Sequence, residues 1–200
     1  MRIIAGRFKG RVLYLPPIKN RRGPKRITRP TTSLVRKALF DILAPCIAGS
    51  SFLDLYAGSG AVGLEALSRE AGNVVMVESN FEILSCLKDN IRQIAAEEEK
   101  NGRVIMLQKS AAAALTQLTS AQTRFDLIFA DPPYSFSIVQ FAEMIAAVSD
   151  SGLLKPGGRF ILQHRYGLEK EPEFQKAAAR FNHVSGTRRY GATGLTMFTR

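Results

Sequence analysis

The sequence predicts a doubly wound α/β domain. Apolar segments of strand length alternate with segments of helical periodicity, the strands are apolar on both faces, and a glycine-rich turn joins one of them to a helix. With 200 residues, 46% of them hydrophobic, the chain is long enough to bury one core of this kind. Ligands of such folds bind at the carboxyl ends of the strands, where we therefore look for functional residues.

The order of the predicted elements follows from periodicity and from turn residues. A helix begins near Pro30–Ser33 and ends before Pro45. The last two strands are expected to form a hairpin around Gly191–Gly194. The predicted strands are 51–56, 73–78, 103–108, 125–130, 159–163, 184–190 and 195–199, and the helices between them are 63–71, 81–98, 112–118 and 138–148.

The net charge of +11 is concentrated at the start of the chain. Twelve Lys and Arg residues and no acidic residue precede Asp41, whereas the rest of the chain is close to neutral. Such a segment is typical of an arm that binds nucleic acid, because contacts with phosphates release counterions. A solvated tail is the alternative. Interleaved apolar residues favour a β-hairpin turning near Lys9–Gly10, followed by a mobile loop over Lys19–Arg29.

These features divide the chain into a basic extension, residues 1–29, and a body, residues 30–200. We find no apolar segment long enough to span a membrane and no signal-peptide pattern, so we expect a cytoplasmic protein. Cys46 and Cys86 are too few for a disulfide framework and lack zinc-ligand spacing. No metal site is predicted, and both thiols are expected to be packing residues.

A nucleoside-binding turn is predicted after the first strand of the body. Gly58–Gly63 has the spacing G-x-G-x-x-G, with Gly58 and Gly60 allowing close approach of a ligand and Gly63 letting the helix lie on the strand. Glu78 ends the next strand, where a carboxylate accepts hydrogen bonds from ribose hydroxyls. A dinucleotide and S-adenosylmethionine both fit this pattern. Asp54 favours the latter, because an anion repels pyrophosphate and attracts an ammonium group.

Both acidic residues also have simpler interpretations. Asp54 could be a buried carboxylate that accepts hydrogen bonds from the amides of the turn, and Glu78 could be a surface residue at a strand end.

A stiff tetrapeptide, Asp131–Tyr134, follows the apolar strand 125–130. Pro132 and Pro133 have fixed φ angles and no N–H, so their carbonyls are expected to be unpaired acceptors. The Asp131 carboxylate and the Pro132 carbonyl could accept the two N–H groups of a nucleobase amine, while Tyr134 stacks on the base. In the alternative interpretation, Asp131 caps the next helix and Tyr134 packs against the body.

These motifs together resemble those of a known class. Leu53–Gly60, Glu78 and Asp131–Tyr134 are similar to the motifs of class I S-adenosylmethionine-dependent amino methyltransferases. Nearly the whole chain resembles the RsmD family, which methylates N2 of a guanine in 16S rRNA. The segments that carry this resemblance are 2–6, 9–11, 29–31, 35–36 and 63–69. It implies a seven-stranded Rossmann-like methyltransferase sheet with a small N-terminal β-hairpin extension, acting on the small ribosomal subunit or its assembly intermediate.

The resemblance assigns roles by position. The methionine end of S-adenosylmethionine would contact Asp54, Gly58, Ser59 and Gly60, the ribose Glu78, and the adenine Ser110 and Ala111. Ser110 departs from the acidic or amide residue of many relatives, and Ser33 and Lys37 stand where relatives are often acidic. The residues expected to contact RNA are Arg2, Arg7, Lys9, Arg11, Arg29 and Thr31.

The expected mechanism is direct in-line methyl transfer by a monomer, without a metal or a covalent enzyme intermediate. Asp131 hydrogen-bonds the amine, and whether it also acts as a base stays open. Two other functions remain possible from the sequence: a DNA adenine-N6 or cytosine-N4 methyltransferase, and a non-catalytic RNA-binding assembly factor. A nicotinamide enzyme is disfavoured because Asp54 precedes the glycine turn. The sequence leaves open which nucleotide is modified and whether naked RNA or an assembled particle is the substrate.

Overall fold

The computed structural model describes residues 1–15 and 33–200. Within them, seven strands form one sheet in the order β3-β2-β1-β4-β5-β7-β6. The strands are β1 (Ser51–Asp54), β2 (Asn73–Val77), β3 (Val104–Leu107), β4 (Phe125–Ala130), β5 (Leu154–Arg165), β6 (His183–Tyr190) and β7 (Thr193–Thr199). The helices are α1 (Ser33–Leu43), α2 (Ala61–Ser68), α3 (Phe81–Lys100), α4 (Ala111–Ser120), α5 (Ile138–Asp150) and α6 (Pro172–Ala178). The predicted α/β class and seven-stranded sheet are confirmed.

The strand order of the sheet indicates where a ligand-binding site is expected. Strands β1 to β5 are parallel, and β7 lies antiparallel between β5 and β6. β1 pairs with both β2 and β4. Strands β2 and β3 therefore extend the sheet on one side of β1, and β4 and β5 extend it on the other side. Reversal of strand order opens a crevice at the carboxyl ends of the two central strands. Those ends carry Asp54 on β1 and, one residue after β4, Asp131.

Two hydrophobic cores cover the two faces of the sheet. The first core contains Phe52 of β1 and packs α1, α2 and α3 together with apolar residues of the N-terminal segment. The second contains Leu53 and packs α4, α5 and α6. Successive residues of β1 thus face opposite cores, which explains why the central strands carry consecutive apolar residues, such as Phe52–Leu53 of β1 and the last four residues of β4.

Several element boundaries differ from the predicted ones; β1 ends at Asp54 rather than at residue 56, and α2 ends at Ser68 rather than at residue 71. α2 begins at Ala61 rather than at residue 63, because Gly60, with φ of 81°, already forms the turn into the helix. β5 begins at Leu154 rather than at residue 159; a register shift against β4 accommodates the intervening glycine pair. α6 and a short 3-10 turn at Leu168–Lys170 were not predicted, since neither is long enough to show a helical period.

The two ends of the N-terminal segment pair with each other over a short antiparallel stretch in which Met1 and Leu13 exchange two backbone hydrogen bonds. An isolated antiparallel bridge joins Arg2 to Val12, and the Gly10 amide donates to the carbonyl of Ile3 at 3.0 Å. The predicted hairpin is thus present as a short antiparallel pairing of residues 1–3 with residues 10–13, and the turn residues 5–8 bond to α2. The expected loop at 19–29 and the start of the helix before Ser33 lie outside the described residues. The division of the chain near residue 29 stays a prediction.

None of the helices in the described part of the chain is long and apolar enough to cross a membrane.

Candidate active site

The three glycines of the turn after β1 lie in different surroundings, and each has a different structural role. Gly58 has φ of 56°, and a Cβ added there would meet no atom within 4 Å, so its surface is open to a ligand. A Cβ at Gly60 would lie 2.5 Å from the Cδ1 atom of Leu87. A Cβ at Gly63 would lie 2.5 Å from the Sδ atom of Met76 on β2, which explains the close packing of α2 on the sheet.

Asp54 is a buried carboxylate with unused hydrogen-bonding capacity. Its side chain is 1% exposed, and the Oδ1 atom accepts from the Tyr56 amide at 3.4 Å. No residue among those described provides a partner for the Oδ2 atom. Burial raises the pKa of Asp54 to about 7, and the neighbouring negative charges of Asp131 and Glu78 act in the same direction. The backbone amides of Tyr56 and Gly63 lower the pKa of Asp54, as the amide-bonding interpretation expects, while the Oδ2 atom, without a hydrogen bond among the described residues, is suited to a cationic ligand.

Glu78 holds the glycine turn in place. Its Oε2 atom accepts from the Gly58 amide at 3.0 Å, and its Oε1 atom accepts from the Asn80 amide at 2.7 Å. Each carboxylate oxygen can accept more than one hydrogen bond, so these contacts are compatible with binding of ribose hydroxyls. Glu78 is therefore more than a surface acid at a strand end.

Ser110 and Ala111 lie at the start of α4. The Ser110 hydroxyl accepts from the Ala113 amide at 3.3 Å and caps the helix, a role that the sequence did not predict. Ala111 is half-buried against the second core. Their predicted contact with adenine stays a prediction.

The tetrapeptide after β4 borders a cavity of about 180 Å³. Asp131, Pro132 and Tyr134 line it, and Tyr134 is 63% exposed and so available for stacking. The expectation that both proline carbonyls are unpaired is wrong for Pro133, whose carbonyl accepts from the Phe136 amide at 3.0 Å. This bond closes the turn and keeps the corner rigid.

Asp131 does not cap the next helix. The cap of α5 is Ser137, whose hydroxyl accepts from the Gln140 amide at 3.3 Å while the Gln140 side chain accepts from the Ser137 amide at 2.8 Å. This reciprocal cap satisfies the first turn of the helix without Asp131. The alternative interpretation of the tetrapeptide as a helix cap is thus not observed.

Sequence reasoning missed the rest of the cavity wall. These residues follow the tetrapeptide or end β5, and they are Phe136, Phe141, Gln163, His164, Arg165 and Leu168. The available signal was the rule that ligands bind where parallel strands end, which applies to β5 as it does to β1 and β4. β5 carries no recognisable motif, so this rule alone does not distinguish its residues in the sequence.

The N-terminal segment is held by buried polar residues of α2. The Glu65 carboxylate, fully buried, accepts from the amides of Ile4 and Ala5 at 2.7 and 3.0 Å. The Ser68 hydroxyl accepts from the Phe8 amide at 2.9 Å and donates to the Ala5 carbonyl at 2.6 Å. These residues lie in the segment 63–69 and were noted only for their family resemblance.

A side chain of α3 connects this segment to the glycine turn. Asn90, fully buried, accepts from the Tyr14 amide at 2.8 Å and donates to the Tyr14 carbonyl at 3.0 Å. It also donates to the Ser59 carbonyl at 2.8 Å. The end of the described N-terminal segment is therefore fixed beside the predicted cofactor loop.

Three of the basic residues expected to contact RNA have partners within the protein. Arg7 forms an ion pair of 2.6 Å with Glu98. Arg11 donates to the carbonyl of Ile94 at 2.7 Å, and Arg2 donates to the carbonyl of Gly10 at 2.8 Å. Lys9 is exposed. The remaining two, Arg29 and Thr31, lie outside the described residues.

Neither cysteine is in a disulfide; Cys86 is buried and Cys46 half-buried. Among residues 1–15 and 33–200, no cluster of His, Cys, Asp and Glu could hold a metal ion.

Known proteins that are similar to this chain in sequence and in structure include rRNA methyltransferases. A family model described as "Conserved hypothetical protein 95" matches residues 1–199. Ribosomal RNA small subunit methyltransferase D of Haemophilus influenzae is 36% identical over 156 residues, which are 78% of this chain and 74% of the relative. A solved hypothetical protein of Thermus thermophilus has a TM-score of 0.75 and 30% identity, covering 99% of this chain and 98% of its own.

A further solved structure shares the fold and was obtained with ligands. The 16S rRNA N2 methyltransferase RsmC of Thermus thermophilus, in complex with AdoMet and guanosine, has a TM-score of 0.62 and 26% identity. The match covers 86% of this chain and 43% of RsmC.

The sheet order, the glycine turn and the acidic strand ends define a class I methyltransferase, the class whose cofactor is S-adenosylmethionine. With the family model matched over almost its entire length, the chain belongs to the RsmD family of rRNA methyltransferases.

Proposed function

We propose that the protein transfers a methyl group from S-adenosylmethionine to the exocyclic N2 amine of a guanine in 16S rRNA. The observation that carries the proposal is the cavity that Asp131, Pro132 and Tyr134 line, beside the buried carboxylate of Asp54. The substrate is the rRNA of the small ribosomal subunit or of its assembly intermediate, and the reaction belongs in the cytoplasm. The small-subunit relatives support the rRNA substrate, and RsmC, solved with guanosine, supports the base.

The residues around the glycine turn fit the cofactor. The Oδ2 atom of Asp54, which has no partner among the described residues, suits the ammonium group of the methionine end. Gly58 leaves backbone surface for close approach, and Glu78 offers acceptors to the ribose. When bound, S-adenosylmethionine supplies an electrophilic methyl group on a sulfonium centre.

The acceptor corner orients the amine. The Asp131 carboxylate and the Pro132 carbonyl accept its two N–H groups and thereby direct the nitrogen lone pair away from them. Hydrogen bonds to an anionic acceptor also stabilise the positive charge that develops on the nitrogen during transfer. Once the nitrogen is methylated it becomes acidic, and Asp131 is placed to receive the proton.

Tyr134 holds the base at this corner. Its exposed ring offers a stacking surface, and stacking of a base on an aromatic side chain contributes about 1–3 kcal/mol. The stack offsets part of the free energy lost when the base leaves its neighbours in the RNA.

One assay tests the cofactor, the polymer and the atom together. The protein is incubated with S-adenosylmethionine labelled on the methyl group and with naked 16S rRNA, isolated small subunits or genomic DNA, and the nucleosides are then separated. We expect label in N2-methylguanosine from one of the two ribosomal substrates. Label in N6-methyladenine or N4-methylcytosine of DNA, or no label with any substrate, would refute the proposal.

A further inference from the structure

Gln163 lies beside the acceptor corner on the neighbouring strand. Ala130, the last residue of β4, pairs in parallel with Leu162 of β5, so the next residues along the chain are Asp131, just after β4, and Gln163, still on β5. Neighbouring strands are about 4.8 Å apart, which is close enough for both side chains to contact one nucleobase. Both residues line the same cavity.

The Gln163 carboxamide has hydrogen-bonding capacity that the described protein does not use. The residue is 4% exposed, and no partner for its Oε1 atom exists within the described part of the chain. The adjacent residue, His164, differs in this respect: its Nε2 atom lies 2.7 Å from the Thr196 hydroxyl, and its Nδ1 atom 2.9 Å from the Arg165 carbonyl. A buried acceptor without a partner is uncommon and calls for a donor that binding supplies.

We propose that Gln163 is a specificity-determining residue, which accepts a hydrogen bond from N1–H of the target guanine while Asp131 accepts from the N2 amine. The inference rests on the proposed function. N1–H and the N2 amine are adjacent donors on the same edge of guanine, and they match the adjacent acceptors on β5 and β4. Adenine carries an acceptor at N1 and no amine at C2, so this pair of acceptors selects guanine.

The terminal torsion of a glutamine side chain is broad, so the carboxamide can turn its oxygen toward the entering base at low cost. The pairing therefore requires no movement of the strand. A site built to hydrogen-bond one group of its substrate discriminates strongly against an analogue that lacks the group.

The test compares guanine with 2-aminopurine at the target position. This analogue keeps the N2 amine but lacks both N1–H and the O6 oxygen, so the share of Gln163 in the preference is measured by comparing variants. After the modified nucleotide has been mapped, 16S rRNA with either base at that position is made by ligation, and kcat/KM is measured for each in the form of substrate that the enzyme accepts. We expect the wild-type protein to favour guanine by about 10-fold or more.

Three variants separate recognition from folding. Gln163→Leu should bring the ratio of the two kcat/KM values close to one, whereas Gln163→Glu should keep the preference because a carboxylate also accepts from N1–H. Gln117→Leu, at an exposed position of α4, is the matched control and should keep the wild-type ratio. A change in the folded fraction affects both substrates equally and leaves the ratio unchanged.

A wild-type ratio near one, or an unchanged ratio in Gln163→Leu, would overturn the role of Gln163 while methylation of guanine N2 still supported the proposed function. Failure of the wild-type protein to methylate guanine would overturn both.

Discussion

Asp131 and Asp54 are carboxylates at the ends of neighbouring strands, but their surroundings differ. Asp131 borders the cavity, whereas Asp54 is almost completely buried next to the glycine turn. A buried carboxylate is suited to binding a cation, and one at a cavity wall is suited to contact a substrate that enters and leaves. The two residues should therefore affect different kinetic quantities.

Replacing Asp131 with alanine should abolish turnover without loss of cofactor binding. The variant lacks the acceptor that orients the amine, and we expect kcat to fall by about 100-fold or more. The dissociation constant for S-adenosylmethionine, measured by calorimetry, should stay within a few-fold of the wild-type value. An equal loss of cofactor affinity and of rate would instead assign Asp131 to the cofactor site. Asp41→Asn, on the exposed face of α1, is the control.

Cofactor affinity should depend on pH through Asp54. Because burial raises the pKa of this carboxyl to about 7, it is largely protonated below that pH and cannot pair with the ammonium group. The affinity for S-adenosylmethionine should thus increase as the pH is raised from 5.5 to 7.5, by about tenfold per unit at the acidic end. Asp54→Asn should bind weakly with a flat profile, and a slope that survives this substitution would contradict the assignment.

The raised pKa of Asp54 has the opposite effect on the stability of the ligand-free protein, which should decrease as the pH rises. The folded state keeps the Asp54 proton up to about pH 7, whereas the unfolded state releases it near its ordinary value of 3.8. The contribution of this group to the free energy of unfolding is therefore complete below pH 3.8 and is lost as the pH rises through 7. Denaturation at several pH values should show a smaller decline over this range in Asp54→Asn than in the wild-type protein.

Among single residues, those with a motif could be predicted from the sequence and those without one could not. Asp54, Glu78 and Asp131 stand at recognisable spacings from glycine or proline. Gln163 has ordinary sequence neighbours, and it lines the cavity only because β5 lies next to β4. A contact between residues that are distant in the chain leaves no local pattern.

At the scale of elements, α2 connects the glycine turn to the N-terminal segment. Glu65 on this helix pairs with Arg69 at 2.9 Å and lies 3.8 Å from the guanidinium of Arg36 on α1. Arg36 is fully buried and donates to the carbonyl of Arg2. Burial lowers the pKa of Arg36, and the Glu65 charge opposes the change. This ion pair therefore joins two helices and the N-terminal segment.

Glu65→Leu should destabilise the protein by about 3–5 kcal/mol, because it leaves the buried charge of Arg36 without its partner. Two backbone amides of the N-terminal segment lose their acceptor at the same time. Urea denaturation measures the change. The double variant Glu65→Leu/Arg36→Met should lose less than the sum of the single losses, since no uncompensated charge remains. Glu143→Gln, at an exposed position of α5, should have almost no effect; additive single losses would argue against the coupling.

At the scale of the whole molecule, the sheet separates the basic N-terminal segment from the helices that cover its other face. Ile3, Phe8 and Leu13 pack in the core that covers one face, whereas α6 packs in the core on the opposite face. Arg7 and Phe8 bond to the carboxyl-terminal ends of α3 and α2, far along these helices from the glycine turn, and Tyr14 lies next to that turn through Asn90. The cavity wall includes Phe141 and Leu168 of the second core, so contact between a bound RNA and Lys9 stays a prediction.

Lys9→Ala should weaken binding of 16S rRNA and reduce the slope of log K against log salt by about one. Lys9 is the suitable probe, because changes at Arg7 and Arg11 would also remove contacts that hold the segment. Lys176→Ala, on α6 at the opposite face, is the matched control and should leave the slope unchanged. Equal slopes for wild-type and Lys9→Ala protein would indicate that this part of the segment serves packing rather than RNA binding.

The sequence by itself determined the fold class, the order of the main elements, the glycine turn after β1 and the proline corner after β4, because strand periodicity, glycine spacing and paired prolines act over a few neighbouring residues. Tertiary structure alone decided that the segment containing Ile4 and Ala5 bonds to a buried Glu65, that the Oδ2 atom of Asp54 has no hydrogen-bond partner among residues 1–15 and 33–200, and that Gln163 stands beside Asp131. Burial and strand register depend on residues far apart in the chain, so these features arise only when the sheet and its two covering layers are assembled.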